Sequence, residues 1–203
     1  MKVVIVDYGM GNIKSISSTL RYLGVNEVLL SDKYEVLKNS DKIILPGVGS
    51  FAKAMNQIKK KKLDVFFKEI VIKDKKPLLG ICLGMQLLGL SSTEEGFNQG
   101  LGFINGQTTI FDNTQFKVPH VGFNQVMPCI NARLYKDIEG NPDFYFTHSF
   151  RMLSDADINS SICEYGHKFV ASFELENIAG VQFHPELSQH NGIKLLRNFI
   201  SSF

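Results

Sequence analysis

Three short apolar runs constrain this chain most: Val3–Val6, Lys42–Leu45 and Pro77–Ile81. They carry almost no polar alternation, which suits strands buried on both faces of a sheet. Helical spacing separates them. Asn12–Leu23 sets Ile13, Ile16, Leu20 and Leu23 on one face and stops at Gly24, a good helix C-cap residue. Glu27–Leu30 predicts a further strand, Phe51–Lys73 a helix with polar and apolar faces, and Leu83 the start of another helix. This β-α-β-α order predicts a parallel sheet with helices on both faces.

The second half changes character. Leu101–Phe111, Lys117–Met127, Phe144–Phe146, Ser161–Tyr165 and Phe169–Glu174 read as strands, and Tyr165-Gly166-His167 as a hairpin turn. Helical spacing returns over Asn191–Phe203. No linker, repeat or low-complexity tract divides the 203 residues. The expectation is one α/β domain over 1–203: a central, mostly parallel sheet flanked by helices, with antiparallel strands added in the second half.

Composition excludes several function classes. With 44% hydrophobic and 21% charged residues the chain is globular rather than disordered. A net charge of +2 gives no reason to expect a nucleic-acid partner. The run Lys59–Lys62 reads as the solvated face of a helix, since a nucleic-acid groove needs a wider basic surface interleaved with aromatics. The three cysteines have no pair spacing and no zinc pattern, so a disulfide framework and a metal site are not expected. No stretch approaches the ~18 uninterrupted apolar residues of a membrane helix, and MKVVIVDYG lacks the features of a signal peptide. The reading is a cytoplasmic protein.

Chemistry concentrates at Gly80-Ile81-Cys82-Leu83-Gly84. A G-x-nucleophile-x-G pattern between strand and helix is the setting of a nucleophile elbow. Its glycines permit a sharp turn and substrate approach. A helix beginning at Leu83 aims its free N–H groups toward the sulfur, which favours the reactive thiolate. Leu83 N–H is placed to donate to an oxyanion, and Gln86 lies one helical turn on, facing the same side. The competing reading is a small buried cysteine at a strand–helix junction.

A cysteine nucleophile needs a base. Among five histidines, His184 stands in VQFHPEL at 181–187, where a buried strand ends at Pro185. Glu186 follows by two residues; in an extended segment the two side chains share a side, so the carboxylate reaches the imidazole and fixes its tautomer. The order nucleophile, histidine, acid differs from that of α/β-hydrolases. The bend Pro46-Gly47-Val48-Gly49 closes the Lys42–Leu45 strand at the sheet edge where ligands bind, and its amides can complete an oxyanion hole. Gly9-Met10-Gly11 resembles the opening of a dinucleotide fingerprint, but Lys14 stands where the third glycine belongs, which argues against a nicotinamide or flavin site. No cofactor is expected.

Six stretches together resemble the class I, triad-type glutamine amidotransferases, and more narrowly the glutaminase subunit of imidazole glycerol phosphate synthase. They are DYGMGN at 7–12, LPGVGSF at 45–51, GICLGMQLL at 80–88, PHVGFN at 119–124, YFTHSF at 145–150 and QFHPE at 182–186. The resemblance implies that Cys82 attacks the side-chain amide of L-glutamine, with His184 moving protons and Glu186 orienting it. It implies an oxyanion hole of Leu83 and, after a local peptide flip, Val48. It implies a glutamine-binding set of Gly47, Gly49, Gln86, Ser149, Phe150 and one carboxylate, Glu94 or Glu95. It also implies a (β/α)8 barrel partner that receives the ammonia in histidine biosynthesis, contacted through Asn12, Phe123, Tyr145 and Leu187. Two positions depart from the family pattern: Phe123 replaces a tryptophan and Leu187 a lysine. Both lie on the implied partner face, so an alternative acceptor is a sugar amidated in a surface-polysaccharide pathway.

Overall fold

A computed structural model describes residues 1–111 and 116–203. In the first half β1 (Lys2–Val6), α1 (Ile13–Tyr22), β2 (Glu27–Ser31), α2 (Tyr34–Lys38) and β3 (Lys42–Leu45) follow one another. α3 (Phe51–Lys60) and α4 (Leu63–Phe67) precede β4 (Leu78–Ile81) and α5 (Leu83–Leu87). Then come β5 (Ser91–Ser92), β6 (Asn98–Gln99), β7 (Gln107–Ile110), β8 (His120–Met127), β9 (Asp143–His148) and β10 (Phe150–Leu153). β11 (Ser161–Tyr165), β12 (His167–Leu175), β13 (Ile178–Val181) and α6 (Gln189–Ser202) complete the chain.

The large sheet has the order β2-β1-β3-β4-β13-β12-β11-β8-β9. Its strands are parallel from β2 to β13 and antiparallel from β13 to β9. β13 is therefore the seam, parallel to β4 on one side and antiparallel to β12 on the other. A small sheet, β10-β7-β5-β6, stands beside it.

Strand side chains alternate between two cores, as the period of two requires. Val4, Val6, Ile43, Leu45 and Leu78 pack with Phe51, Ile58 and Phe67 from α3 and α4. Val3, Ile5, Ile44, Leu79 and Ile81 pack with Ile16 and Leu20 of α1 and Leu195, Leu196 and Phe199 of α6. Beyond Lys2 and Lys42 at their starts, β1, β3 and β4 are apolar, as strands covered on both faces require.

Several expected elements differ in extent. The single helix expected over Phe51–Lys73 is broken. Lys62 adopts φ 58°, and a π-helical turn at Lys68–Lys73 follows α4. The break re-aims the chain so that Leu63, Phe67, Ile70 and Val71 all reach the core. The lysine run is mostly solvated, as expected, though Lys61 pairs with Asp32 at 2.6 Å. Of Leu101–Phe111 only Gln107–Ile110 is strand; Leu101 and Phe103 instead donate to Leu87 and Leu88 carbonyls and cap the end of α5. The hairpin at Gly166 is as expected, with Tyr165 opposite His167 and Gly166 at φ +66°.

A side chain on Gly84 would place its Cβ 1.9 Å from the Leu45 carbonyl oxygen, so α5 lies directly on the backbone of β3. We expect Gly84→Ala to destabilise the protein by about 2 kcal/mol or more, the scale of overpacking against backbone that cannot move aside. Urea unfolding reads this; an unchanged midpoint would mean that the elbow and β3 separate freely.

Candidate active site

Sheet register builds the site. β4 and β13 pair in parallel with Gly80 opposite Gly180 and Ile81 opposite Val181. One residue further, Cys82 N donates to Val181 O at 2.8 Å. The two chains leaving the sheet at this edge carry Cys82 on one side and Gln182 to Glu186 on the other. A parallel pair thus brings together side chains about a hundred positions apart.

Cys82 turns the chain from β4 into α5 with φ 54° and ψ −112°. A non-glycine residue in such a conformation is held there by its surroundings. Those surroundings are close backbone contacts. A Cβ on Gly80 would meet the Gly84 oxygen and the Met85 Cα at 2.8 Å, and one on Gly47 would meet the Gly84 nitrogen at 2.6 Å. The elbow glycines therefore admit backbone against backbone, not substrate as expected. α5 has only five residues, so its dipole is weaker than a long helix would supply.

His184 is buried against the elbow. Its Nδ1 lies 2.9 Å from Glu186 Oε1, and the Glu186 side chain is fully buried. The expected pair forms, but through a different geometry: Pro185–Leu187 is a 3-10 turn, not an extended segment, and the turn swings the carboxylate back under the ring. Asn12 Nδ2 donates to the same Glu186 oxygen at 3.2 Å. His184 N donates to Tyr145 O at 2.9 Å, and Ser188 Oγ donates to His184 O at 2.6 Å. Facing the Cys82 sulfur and with no other partner among the described residues, His184 Nε2 is the ring nitrogen free to exchange a proton.

Burial opposes charge on the imidazole most strongly, but the Cys82 sulfur and the Glu186 carboxylate together outweigh it. They raise the His184 pKa from 6.5 to about 10. Cys82 therefore faces an imidazolium, the environment in which a cysteine acts as a nucleophile.

A cavity of about 650 Å³ opens over the sulfur. Val48, Gly49, Leu83, Gln86, Glu94, Ser149 and Phe150 lie on its wall with Cys82 and His184. Gly47 does not; it is buried against Gly84 and Tyr8. Of the two candidate glutamates, Glu94 is on the wall and its Oε2 accepts from Phe51 N at the start of α3 (2.7 Å), whereas Glu95 is exposed. Gln86 Nε2 is already engaged by Phe150 O at 3.0 Å and Gln182 Oε1 at 2.9 Å. Phe123 and Leu187 are about half exposed, and Phe123 meets Tyr145 edge-on at 5.6 Å across the β8–β9 pair. Asn12 was expected only on this outer face, yet it also touches the buried acid.

Two site features were not expected. Tyr8 is buried and its hydroxyl donates to Pro46 O at 2.6 Å, tying the DYGMGN stretch to the PGVG bend. Gln182 Nε2 points to Cys82 Sγ at 3.8 Å. Both residues stand inside motifs already singled out, but nothing in their spacing signals these contacts. Among the described residues no group of three or more His, Cys, Asp or Glu is placed to hold a metal ion, and no helix is long and apolar enough to cross a membrane.

His184 binds its proton more tightly in the fold than in the unfolded chain. Its contribution to stability is complete below pH 6.5 and is lost as pH rises toward about 10. Glu186→Gln removes one of the two charges that hold that proton. We expect the His184 deprotonation midpoint, followed by NMR of the labelled imidazole, to fall by about one unit or more. An unmoved midpoint would mean that Glu186 does not bear on the charge.

Comparisons with known proteins identify the family. The Glutamine amidotransferase class-I family model matches residues 4–202. The imidazole glycerol phosphate synthase subunit HisH 1 of Campylobacter jejuni (strain RM1221) is 41% identical over 199 residues, covering 98% of each chain. The HisH subunit of Aquifex aeolicus is 40% identical over 200 residues, covering 98% of this chain and 96% of its own. A glutamine amidotransferase crystal structure shares the fold with a TM-score of 0.76 at 17% identity, over 97% of this chain and 96% of its own. The chain belongs to the class I glutamine amidotransferase family.

Proposed function

We propose that this chain is the glutaminase subunit of an imidazole glycerol phosphate synthase, releasing ammonia from L-glutamine for a (β/α)8 barrel partner. The observation that carries the reading is Cys82 facing an imidazole whose other nitrogen is held by a buried carboxylate, 2.9 Å away. The names of the full-length relatives support the acceptor pathway.

The reaction follows from the residues present. The Cys82 thiolate adds to the side-chain amide carbon of glutamine, and the carbonyl oxygen takes the negative charge. Leu83 N–H and an amide at Val48 stabilise that oxygen; each such donor is worth about 100- to 1,000-fold in rate. The His184 imidazolium gives its Nε2 proton to the amide nitrogen, the C–N bond breaks and ammonia leaves. A glutamyl thioester remains on Cys82. Neutral His184 then takes a proton from water, the hydroxide adds to the thioester, and collapse returns the thiolate and free glutamate. Glu186 keeps Nδ1 occupied throughout, so that Nε2 does the proton transfer. Glu94, Gln86, Gly49 and backbone at Ser149 and Phe150 would hold the amino-acid end of glutamine.

Asn12, Phe123, Tyr145 and Leu187 form the face for the barrel. Since Asn12 also bonds Glu186, docking at this face is transmitted to the triad by one hydrogen bond. The peptide at Val48 is the second point of control, because the oxyanion hole is incomplete until its amide turns inward. A second reading keeps the chemistry and amidates a sugar in a surface-polysaccharide pathway. The exposed Phe123 and Leu187, in place of tryptophan and lysine, favour a partner face of altered chemistry.

Cys82→Ala is expected to abolish glutamine-dependent synthesis while ammonia-dependent synthesis by the barrel partner survives. Equal loss of both would refute the assignment. Glutamine hydrolysis by the unaltered chain should rise by about 100-fold or more when the barrel and its histidine-pathway nucleotide are added, the scale of completing one oxyanion donor. Unchanged hydrolysis would favour the sugar pathway.

A further inference from the structure

Gln182 lies outside the triad, yet its buried amide reaches the sulfur. Its orientation follows from a chain of hydrogen bonds in which each link has a single solution. His148 Nδ1 is 2.7 Å from Phe150 O. A carbonyl only accepts, so Nδ1 carries the hydrogen. Burial holds the His148 pKa down at about 3 and that of His120 at about 4, so both rings are neutral. His148 Nε2 is then bare and accepts from His120 Nδ1 at 3.0 Å.

The same Phe150 oxygen lies 3.0 Å from Gln86, so the Gln86 atom facing it must be the amide nitrogen. The second hydrogen of that nitrogen points to Gln182, 2.9 Å away, and requires the Gln182 oxygen there. With its oxygen engaged by Gln86, the Gln182 nitrogen can only face Cys82 Sγ, at 3.8 Å. Flipping either amide would set two donors or two acceptors against each other between buried side chains. The Gln182 side chain is fully buried, so no rotamer freedom relaxes this order.

We infer that Gln182 is a further catalytic residue of the glutaminase, a fixed donor to the Cys82 sulfur that favours thiolate over thiol and steers it toward His184. Sulfur is large and diffuse, so at this distance the N–H acts chiefly as an oriented dipole and discriminates in favour of negative charge. It approaches from the β13 side, apart from the N–H of Leu83 at the start of α5. Gln86 acquires a second duty: besides lining the cavity, it keeps the Gln182 amide the right way round. The inference rests on Cys82 being the nucleophile of the proposed reaction.

The titratable groups around the sulfur are His184 with Glu186 behind it, Tyr8 after β1, His148 at the end of β9 and Glu94 on the cavity wall. A substitution at Gln182 leaves each of these residues in place. The test is the rate of iodoacetamide alkylation of Cys82 against pH, read on its own peptide by mass spectrometry so that Cys129 and Cys163 do not contribute. Gln182→Leu removes the donor. Gln182→Glu keeps an oxygen for Gln86 and sets a carboxylate against the sulfur. Gln182→Leu is expected to raise the alkylation midpoint by about one pH unit, which slows alkylation about tenfold on the acid side. Gln182→Glu should raise it further. A purely structural role would lower the melting temperature and leave the midpoint in place. Folded variants with the native midpoint would overturn the inference, and Gln182→Glu alone decides if the leucine variant fails to fold. If Cys82 of the unaltered chain resists alkylation at every pH, the nucleophile reading itself fails, and this inference with it.

Discussion

The contact of α5 with the backbone of β3 governs this molecule. Gly84 has no room for a single carbon beside the Leu45 carbonyl, and Gly47 none beside Gly84 N. The PGVG bend and the cysteine elbow are therefore one packed unit. Cys82 sits in a left-handed conformation that few residues tolerate, and its neighbours hold it there. The same contact sets Val48 and Leu83, the two proposed oxyanion donors, on the wall of one cavity. Tyr8 ties the outer side of the bend to β1 through the Pro46 carbonyl, so three separate glycine-containing motifs share a single junction.

Electrostatics at the site is a balance between burial and pairing. Moving His184 out of water disfavours its charge more than any single neighbour favours it. Two neighbours acting together reverse the outcome, which is why nucleophile and acid must both stand within reach. The paired His120 and His148 show the opposite result. Packed among Phe111, Phe146 and Phe169, they are kept neutral by burial and act as fixed hydrogen-bonding groups. Similar rings thus serve as a charge carrier in one place and as a rigid strut in another, with His148 and His184 on the wall of one cavity.

Much of this was legible from sequence. Apolar runs without alternation predicted a parallel sheet covered on both sides, and β1, β3 and β4 lie within a residue of the expected bounds. Helical spacing located α1 and α6, and Gly166 the hairpin. The motif around Cys82 and the HPE tripeptide named three residues that the fold brings together, Cys82, His184 and Glu186. The misses have physical causes. The break at Lys62 preserves the apolar period on either side, so periodicity alone reads straight through it. Leu101 and Phe103 are apolar because their side chains pack on the core beside α5, not because they form a strand. The strand expected to run up to Pro185 ends at Val181, and Pro185 instead opens a 3-10 turn; only that turn brings Glu186 under the ring.

What the sequence determined by itself is local: which segments become strands or helices, which residue types can perform thiol chemistry, and where the backbone needs glycine. What the tertiary structure alone decided is pairwise. It set Cys82 beside Val181 through the β4–β13 register, put Glu94 rather than Glu95 on the cavity wall, and joined Asn12 to Glu186 across 174 positions. It also oriented the Gln182 amide through a carbonyl contributed by another strand. The reason is that periodicity and turn chemistry act over a few residues, whereas hydrogen-bond partners at a sheet edge are assigned by packing, after distant strands have been brought into register.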